Sequence, residues 1–369
     1  MRPTRVVIDL TAIKDNLCAI RAFTHRKIMM AIKADAYGHG AATIGKFVQE
    51  KSLVDMLGVS SIEEGVQLRD AGVTLPILIF GLINDTDEDI EAIFAHDLMP
   101  TLVDTSLVLS LVHKAQSWNR PVRVHVKTDT GMGRLGLRPE QTYEVVQDIA
   151  LRTELVISGL YTHFPVSDCP EDGFTSEQIH VFKNLVERIT ALGIPCGDLH
   201  AANSGAILNH PESYLDMVRP GLLCYGLYPN GSETGKIAVT PAMTLKTAIM
   251  FVKRVKKGMR LSYGLTYEVK KDSTIATIPI GYADGYPRAL SNRARVRVGG
   301  KTYPVAGRIC MDQTLIDLGN DRYPVGEEVT LFGTDEITAS TVAAWCESIP
   351  YEVVCNMSRR VPRTYSEHT

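Results

Sequence analysis

Short apolar runs alternate with helical patterns through the N-terminal part of the chain. The runs cover residues 28–32, 56–59, 76–80, 98–103, 122–126, 155–161, 199–202 and 217–221. Between most of them apolar residues recur at helical spacing, as in residues 62–71, 88–95, 143–151 and 178–192. A succession of eight strand and helix units is typical of a parallel (β/α)8 barrel. The pattern therefore predicts an α/β fold with an N-terminal TIM-type barrel.

A different pattern follows the loop-forming residues 230–235. Short β-rich runs, separated by turns that contain glycine, cover residues 244–252, 273–280, 294–298 and 328–332. Such runs are typical of a small all-β domain. Because 369 residues exceed what one hydrophobic core usually sustains, we expect two domains. We place the barrel at residues 1–232 and a smaller, mainly β domain at residues 233–369.

The N-terminal residues are expected to leave the barrel. Residues 6–10 predict a short strand, and we expect this strand, at about residues 1–10, to join the β domain. Thr11 is then predicted to cap a helix, because apolar residues recur at helical spacing after it.

Composition narrows the class of protein. Apolar residues make up 45% and charged residues 22% of the chain, as in ordinary soluble proteins, and a net charge of −3 gives no reason to expect a nucleic-acid partner. The seven cysteines form no CxxC pair, so neither a disulfide framework nor a metal site is expected. No apolar run approaches the roughly 18 residues of a membrane span. We expect a cytoplasmic protein without a membrane partner.

Lys33 is the first candidate for chemistry. It ends the first predicted barrel strand, and catalytic groups of such barrels sit at the carboxyl ends of the strands. Burial disfavours the charged ammonium group, which makes the neutral, nucleophilic amine accessible. A single lysine at a strand end is nevertheless more often simply solvated.

The fifth predicted strand carries a charged face. Residues 122–129 alternate strictly, which places Arg123, His125, Lys127 and Asp129 on one face. If that face points into the barrel, Lys127 must find a counter-charge, since an unpaired buried ammonium group is costly.

Polar residues also follow the last three predicted strands. His163 and His200 end the sixth and seventh strands, where an isolated histidine is more often structural than catalytic. Ser204 begins a short helical stretch, and Gly221 follows the eighth strand. Backbone N–H groups at this position of a barrel commonly bind an anion.

Taken together, these stretches resemble alanine racemases, which are pyridoxal-phosphate enzymes of fold type III. The matching motifs are KADAYGHG at residues 33–40, KTDTGMGRLG at 127–136, His163, Asn203-Ser204, RPG at 219–221, SYG at 262–264, IGYADG at 280–285 and GRICMD at 307–312. The resemblance extends from about residue 8 to residue 363.

The resemblance implies a role for each matching residue around the cofactor. In the family the lysine holds pyridoxal phosphate through its amine, the histidine stacks on the pyridine ring, and the arginine of the RPG motif faces the pyridine nitrogen. Other residues of these motifs contact the phosphate. The implied cofactor-binding set is Lys33, Tyr37, His163, Asn203, Ser204, Arg219 and Gly221.

The substrate side is implied in the same way. Arg134 would hold the substrate carboxylate, and Lys127 matches a lysine that is commonly carbamylated in the family, giving an anion that fixes the arginine. Inversion of an α-carbon needs a base on each face, and in the family the second base is a tyrosine of the partner's β domain. That tyrosine is Tyr263 here. The implied substrate-binding residues are Arg134, Met311, Asp312 and Tyr282.

The implied function is the interconversion of L- and D-alanine, supplying D-alanine for peptidoglycan, by a homodimer with composite active sites. A fold type III decarboxylase and a pyridoxal-phosphate carrier are the alternatives. A decarboxylase is disfavoured because we find no triple-glycine phosphate loop. A carrier would leave the β domain and Tyr263 unexplained. Exchange of the α-proton in D2O would separate the three.

One position departs from the family pattern. Alanine racemases typically have Ser-Tyr-Arg-Val-Pro-Arg near the C-terminus, whereas Arg359 occupies the tyrosine position here. We expect this change to weaken the filter against a hydroxymethyl group, because a small apolar pocket discriminates by only about 1–3 kcal/mol. A serine racemase or one of broader specificity is therefore a second interpretation.

Overall fold

The computed structural model describes residues 2–230 and 235–368. Strand β1 (Arg5–Asp9) and helix α1 (Leu10–Thr24) begin the chain. The helix is capped by Asp9, whose carboxylate accepts hydrogen bonds from the amides of Thr11 and Ala12 at 2.9 and 3.1 Å. The prediction of Thr11 as the cap was therefore wrong: a carboxylate directly before the helix satisfies its free N–H groups, and Thr11 lies in the first turn.

A closed barrel of eight parallel strands follows β1 and α1. The strands are β2 (Lys27–Ala31), β3 (Met56–Val59), β4 (Ile77–Ile79), β5 (Met99–Leu102), β6 (Val122–Lys127), β7 (Leu155–Tyr161), β8 (Asp198–His200) and β9 (Met217–Val218). Pairing of β2 with β9 closes the barrel. This confirms the predicted TIM-type architecture.

Helices connect the barrel strands. They are α2 (Lys33–Tyr37), α3 (Ala41–Glu50), α4 (Ile62–Asp70), α5 (Asp87–Ala95), α6 (Val108–Ser117), α7 (Pro139–Ala150), α8 (Phe174–Thr190) and α9 (Ser204–Asn209). In the described part of the chain, none of the helices combines the length and the hydrophobicity that a membrane span needs.

The C-terminal part is mainly β, as predicted. Its elements are β10 (Met243–Ala248), β11 (Phe251–Val255), β12 (Arg260–Leu261), β13 (Tyr267–Glu268), β14 (Ser273–Ile278), β15 (Arg295–Val298), β16 (Lys301–Pro304), β17 (Thr314–Gly319), β18 (Glu328–Phe332), α10 (Ala339–Cys346), α11 (Pro350–Cys355) and β19 (Arg363–Ser366). The single run predicted at residues 244–252 is two strands, because the chain passes from one sheet to another after β10.

The first strand lies in the C-terminal sheet. Strand β1 pairs antiparallel with β10 and parallel with β19, within the sheet order β16-β15-β18-β10-β1-β19. The proposed domain boundary between residues 232 and 233 lies outside the described residues.

Candidate active site

A cavity of about 590 Å³ opens at the carboxyl ends of the barrel strands. It brings together most of the residues singled out in the sequence, which come from distant parts of the chain. Those that line it are Lys33, Tyr37, Lys127, Arg134, His163, Asn203, Ser204, Arg219 and Gly221.

Lys33 begins an unusual turn. Ala34, Asp35, Ala36 and Tyr37 all have φ between 52° and 56°, in the left-handed helical region. For residues with a side chain this conformation costs roughly 1–2 kcal/mol each, so surrounding contacts must hold it. We call residues 34–37 the lysine turn.

Glu64 holds the start of the lysine turn. Its carboxylate accepts hydrogen bonds from the amide of Ala34 at 2.8 Å and from the amide of Ser60 at 2.7 Å. Sequence reasoning missed Glu64, although Ser61-Ile62-Glu63-Glu64 has the S-x-x-E spacing of a capping box.

The environment of Lys33 favours its neutral amine. Burial is the largest cause that lowers the pKa of Lys33, and the positive charge of Arg134 adds to it, while the Glu64 carboxylate opposes the shift. A lysine with a lowered pKa is a better nucleophile and base near neutral pH.

Gly221, which follows β9, and Asn203 and Ser204 at the start of α9 form a cradle beside Tyr37. The amide of Gly221 donates to Oγ of Ser204 at 2.9 Å, and Asn203 caps α9 by accepting from the amide of Ala206. A Cβ on Gly221 would lie 2.4 Å from the Tyr37 hydroxyl. Glycine is therefore required for these groups to meet around one volume of the cavity.

An aromatic cluster surrounds Tyr37. Its ring centroid lies 5.0 Å from that of Tyr225 and 6.1 Å from that of Tyr351. Burial raises the pKa of Tyr351 to about 12, so its hydroxyl remains protonated. Tyr351 lines the cavity, but sequence reasoning did not identify it.

Arg219 is buried without a carboxylate partner among the described residues. Its guanidinium group donates to the carbonyls of Thr162 and Ala201 at 2.7 and 2.9 Å, and its Nη1 lies 3.0 Å from Nδ1 of His200. Burial lowers the pKa of Arg219 to about 10, which leaves it charged at neutral pH.

This contact fixes the tautomers of two histidines. Arginine can only donate, so Nδ1 of His200 accepts and Nε2 carries the hydrogen. The Nε2 then donates to Nδ1 of His125 at 2.8 Å. The remaining N–H of His125, at Nε2, has no partner within the described part of the chain.

Lys127 lies buried in the cavity, and the described part of the chain gives it no counter-charge. Among the described residues its amine makes no hydrogen bond or ion pair, and it lies 5.6 Å from the ring centre of Tyr161. Asp129, the nearest candidate in sequence, accepts instead from the amides of Gly131 and Gly133, both at 3.0 Å. Burial, with Arg134 next, lowers the pKa of Lys127 to about 8.

The charged face predicted for the fifth barrel strand, β6, is buried only in part. His125 and Lys127 are buried, but Arg123 is exposed and pairs with Asp97 at 3.0 Å. Arg123 is the second residue of β6, at the opposite end of the strand from Lys127 and the cavity.

The site residues predicted in the β domain lie outside this cavity. They are Tyr263, Tyr282, Met311 and Asp312. Tyr263 is 70% exposed, Met311 53% and Tyr282 43%. Tyr282 donates its amide to the carbonyl of Cys310 at 3.1 Å, which places its loop beside Met311. Asp312 is exposed and accepts from Arg360 at 2.8 Å.

Arg359 lies outside the cavity as well. Its side chain is exposed, and it is not among the residues that line the pocket. Ile349 and Tyr351 supply the C-terminal wall instead. A direct effect of Arg359 on the pocket within one chain is therefore not supported.

The chain matches known families along nearly its whole length. Residues 8–229 match the family model of the alanine racemase N-terminal domain, and residues 242–365 match that of the C-terminal domain. The alanine racemase of Halothermothrix orenii is 40% identical over 370 residues, which cover 99% of this chain and 97% of the relative.

Solved structures give the same result. An alanine racemase structure from Clostridium difficile 630 superposes with a TM-score of 0.94 at 37% identity, covering 100% of this chain and 97% of that chain. The structure of alanine racemase from Bacillus anthracis with bound L-Ala-P gives a TM-score of 0.89 at 32% identity, covering 99% and 95%. On these grounds, and with the lysine, arginine and histidine motifs gathered at one cavity, the chain belongs to the alanine racemase family.

Proposed function

We propose that this protein interconverts L- and D-alanine with pyridoxal phosphate held at Lys33, acting in the cytoplasm as a homodimer that supplies D-alanine for peptidoglycan. One observation carries the proposal: Lys33, with its lowered pKa, lines a barrel cavity together with Lys127, Arg134 and Arg219, and its described lining has one carboxylate, that of Asp168. The full-length similarity to alanine racemases supports the choice of substrate.

The residues present fit this cofactor. Lys33 would supply the amine that carries the cofactor, and the guanidinium group of Arg134 suits the carboxylate of an amino acid. The cradle at Gly221, with the hydroxyls of Tyr37 and Ser204, would hold the phosphate.

Arg219 would hold the pyridine nitrogen of the cofactor. The guanidinium group donates hydrogen bonds and cannot give up its proton, so the ring nitrogen it faces would stay unprotonated. His163, whose pKa burial lowers well below its usual value, would be a neutral ring against the cofactor.

The cofactor, when bound, would withdraw electron density from the α-carbon of an amino acid and acidify its proton. Arg134 would orient the substrate by its carboxylate. Lys33 would take or return the proton on one face, for which its lowered pKa suits it. Exposed Tyr263 of the partner chain would serve the other face, helped by the neighbouring Tyr282, Met311 and Asp312.

Lys127 would act as a carbamate. A buried amine with a pKa of about 8 and no anionic partner among the described residues is both costly as a cation and reactive as a neutral group. Carbamylation would turn it into an anion, which Arg134 and Arg219 would attract; these are the two charges that most disfavour its protonation.

Borohydride trapping tests the cofactor assignment. Reduction of the purified protein with pyridoxal phosphate should leave a pyridoxyl group on the peptide that contains Lys33, and Lys33→Ala should carry none there. A pyridoxyl group on another lysine, with wild-type racemisation by Lys33→Ala, would contradict the proposal. None of the relatives named above supports serine as the main substrate.

A further inference from the structure

The end of the lysine turn touches the C-terminal strand. Arg363 of β19 donates from Nε to the carbonyl of Gly38 at 3.2 Å, and the hydroxyl of Tyr365 donates to the carbonyl of His39 at 3.1 Å. Gly38 and His39 directly follow the lysine turn. Strand β19 therefore bonds the C-terminal end of the turn, whereas Glu64 bonds its N-terminal end.

Arg363 also fastens the segment that precedes β19. Its Nη1 donates to the carbonyls of Ser358 and Val361 at 2.7 and 2.8 Å, and its Nη2 donates to the carbonyl of Met357 at 2.6 Å. The planar guanidinium group thus donates to carbonyls from two distant parts of the chain.

Tyr365 fits its place because residue 40 is glycine. A Cβ on Gly40 would lie 1.9 Å from the Tyr365 hydroxyl, and Gly40 has a φ of +94°. Burial raises the pKa of Tyr365, so the hydroxyl stays protonated and able to donate. The strand itself is anchored by β1, which places Ile8 opposite Tyr365.

We propose that Arg363 and Tyr365 are positioning residues that hold the lysine turn left-handed and so aim the amine of Lys33 into the cavity. This inference rests on the proposed function, because the direction of the Lys33 amine matters only if Lys33 carries the cofactor. The turn contains no glycine, so it has no intrinsic preference for this conformation. Glu64 fixes its start, and β19 fixes its end.

Tyr365→Phe in the full-length protein tests the proposal, with Thr364→Val as the matched control. Thr364 lies on the same strand, but its hydroxyl donates to the carbonyl of Val6 at 3.3 Å, away from the lysine turn. Each variant loses one hydroxyl that donates to a backbone carbonyl, but Thr364 is exposed, whereas Tyr365 is half-buried and also bonds Thr43. The melting temperature therefore separates a general loss of fold stability from a change at the lysine turn.

Three quantities are measured for both variants: the melting temperature, the dissociation constant for pyridoxal phosphate, and the pH midpoint of the absorbance change of the bound cofactor. We expect Tyr365→Phe to raise the dissociation constant roughly three- to tenfold and to shift the pH midpoint, as loss of one hydrogen bond allows. Thr364→Val should change neither.

Failure of the positioning role and failure of the proposed function give different results. If wild-type protein binds the cofactor at Lys33 but Tyr365→Phe and Thr364→Val give the same dissociation constant and pH midpoint, the positioning role is overturned and the proposed function stands. If wild-type protein does not carry the cofactor at Lys33, the proposed function fails, and the positioning role fails with it.

Discussion

Nη1 of Arg219 lies 3.0 Å from Nδ1 of His200, and both side chains are buried at the carboxyl end of the barrel. The arginine can only donate, so the histidine is neutral and accepts. Within residues 2–230 and 235–368 no carboxylate pairs with Arg219. The positive charge of Arg219 is therefore available to interact with a ligand in the cavity.

Removing the acceptor should destabilise the protein. His200→Phe leaves a buried charged donor unpaired, and we expect the free energy of unfolding to fall by about 1–3 kcal/mol. His200→Gln keeps an amide oxygen that can accept, so it should recover part of the loss. Urea denaturation of both variants checks this. Equal stability of His200→Phe and wild-type protein would show that the contact does not hold Arg219.

The buried His39 should make stability depend on pH. Its Nδ1 lies 3.0 and 2.9 Å from the carbonyls of Ala36 and Tyr37, so Nδ1 carries the hydrogen, and Nε2 has no partner in the described part of the chain. Burial lowers the pKa of His39 from 6.5 to about 4. Between these values the unfolded chain binds more protons than the folded protein, so the stabilisation present above pH 6.5 is lost as the pH falls towards 4.

We expect His39 to account for a loss of on the order of 3 kcal/mol across that window. His39→Gln keeps a donor for the two carbonyls but cannot titrate, so its unfolding free energy should fall less steeply with pH. Urea denaturation of both proteins at several pH values across the window measures the difference. Parallel pH profiles for the variant and wild-type protein would refute the assignment.

Lys127 should react with carbon dioxide. With a pKa of about 8, roughly a tenth of the amine is neutral at pH 7, which carbamylation requires. We expect wild-type protein in 13C-labelled bicarbonate to show a carbamate carbon signal by NMR that is absent from Lys127→Arg. Activity should fall in Lys127→Arg because the anion beside Arg134 is lost. A spectrum unchanged by the substitution would contradict the proposal.

Tyr263 should act in trans. Tyr263→Phe is expected to lower kcat on the order of 10²-fold or more, the usual scale for losing an acid or base, while the cofactor stays bound. Lys33→Ala should also be inactive. Mixing the two inactive chains and allowing subunit exchange should restore activity, because one site of the hybrid dimer has both Lys33 and Tyr263. Mixtures that stay as inactive as the separate variants would argue against a composite site.

Much of the fold could be predicted because its signals are local. Buried parallel strands are continuous apolar runs, and the helices between them carry a 3.6-residue period, so the barrel follows from the pattern. Boundaries were less accurate where two strands are adjacent in sequence, as at residues 244–252, because an apolar run does not show which sheet each half enters.

Site residues that belong to sequence motifs could be predicted. Features that depend on the packing of distant residues could not. Lys33, Arg134 and Arg219 were identified by motif, and the structure brings them to one cavity. The left-handed lysine turn has no glycine to signal it. Lys127 has no counter-charge in the described part of the chain and Arg359 is exposed, and both facts depend on neighbours that are distant in sequence.

The central claim is most directly tested by incubating wild-type protein and pyridoxal phosphate with L-alanine in D2O, and then analysing the alanine by chiral chromatography and proton NMR. We predict nearly equal amounts of L- and D-alanine, with deuterium at the α-carbon. Recovery of L-alanine with its α-proton intact, or its conversion to an amine with loss of the carboxylate, would contradict the account.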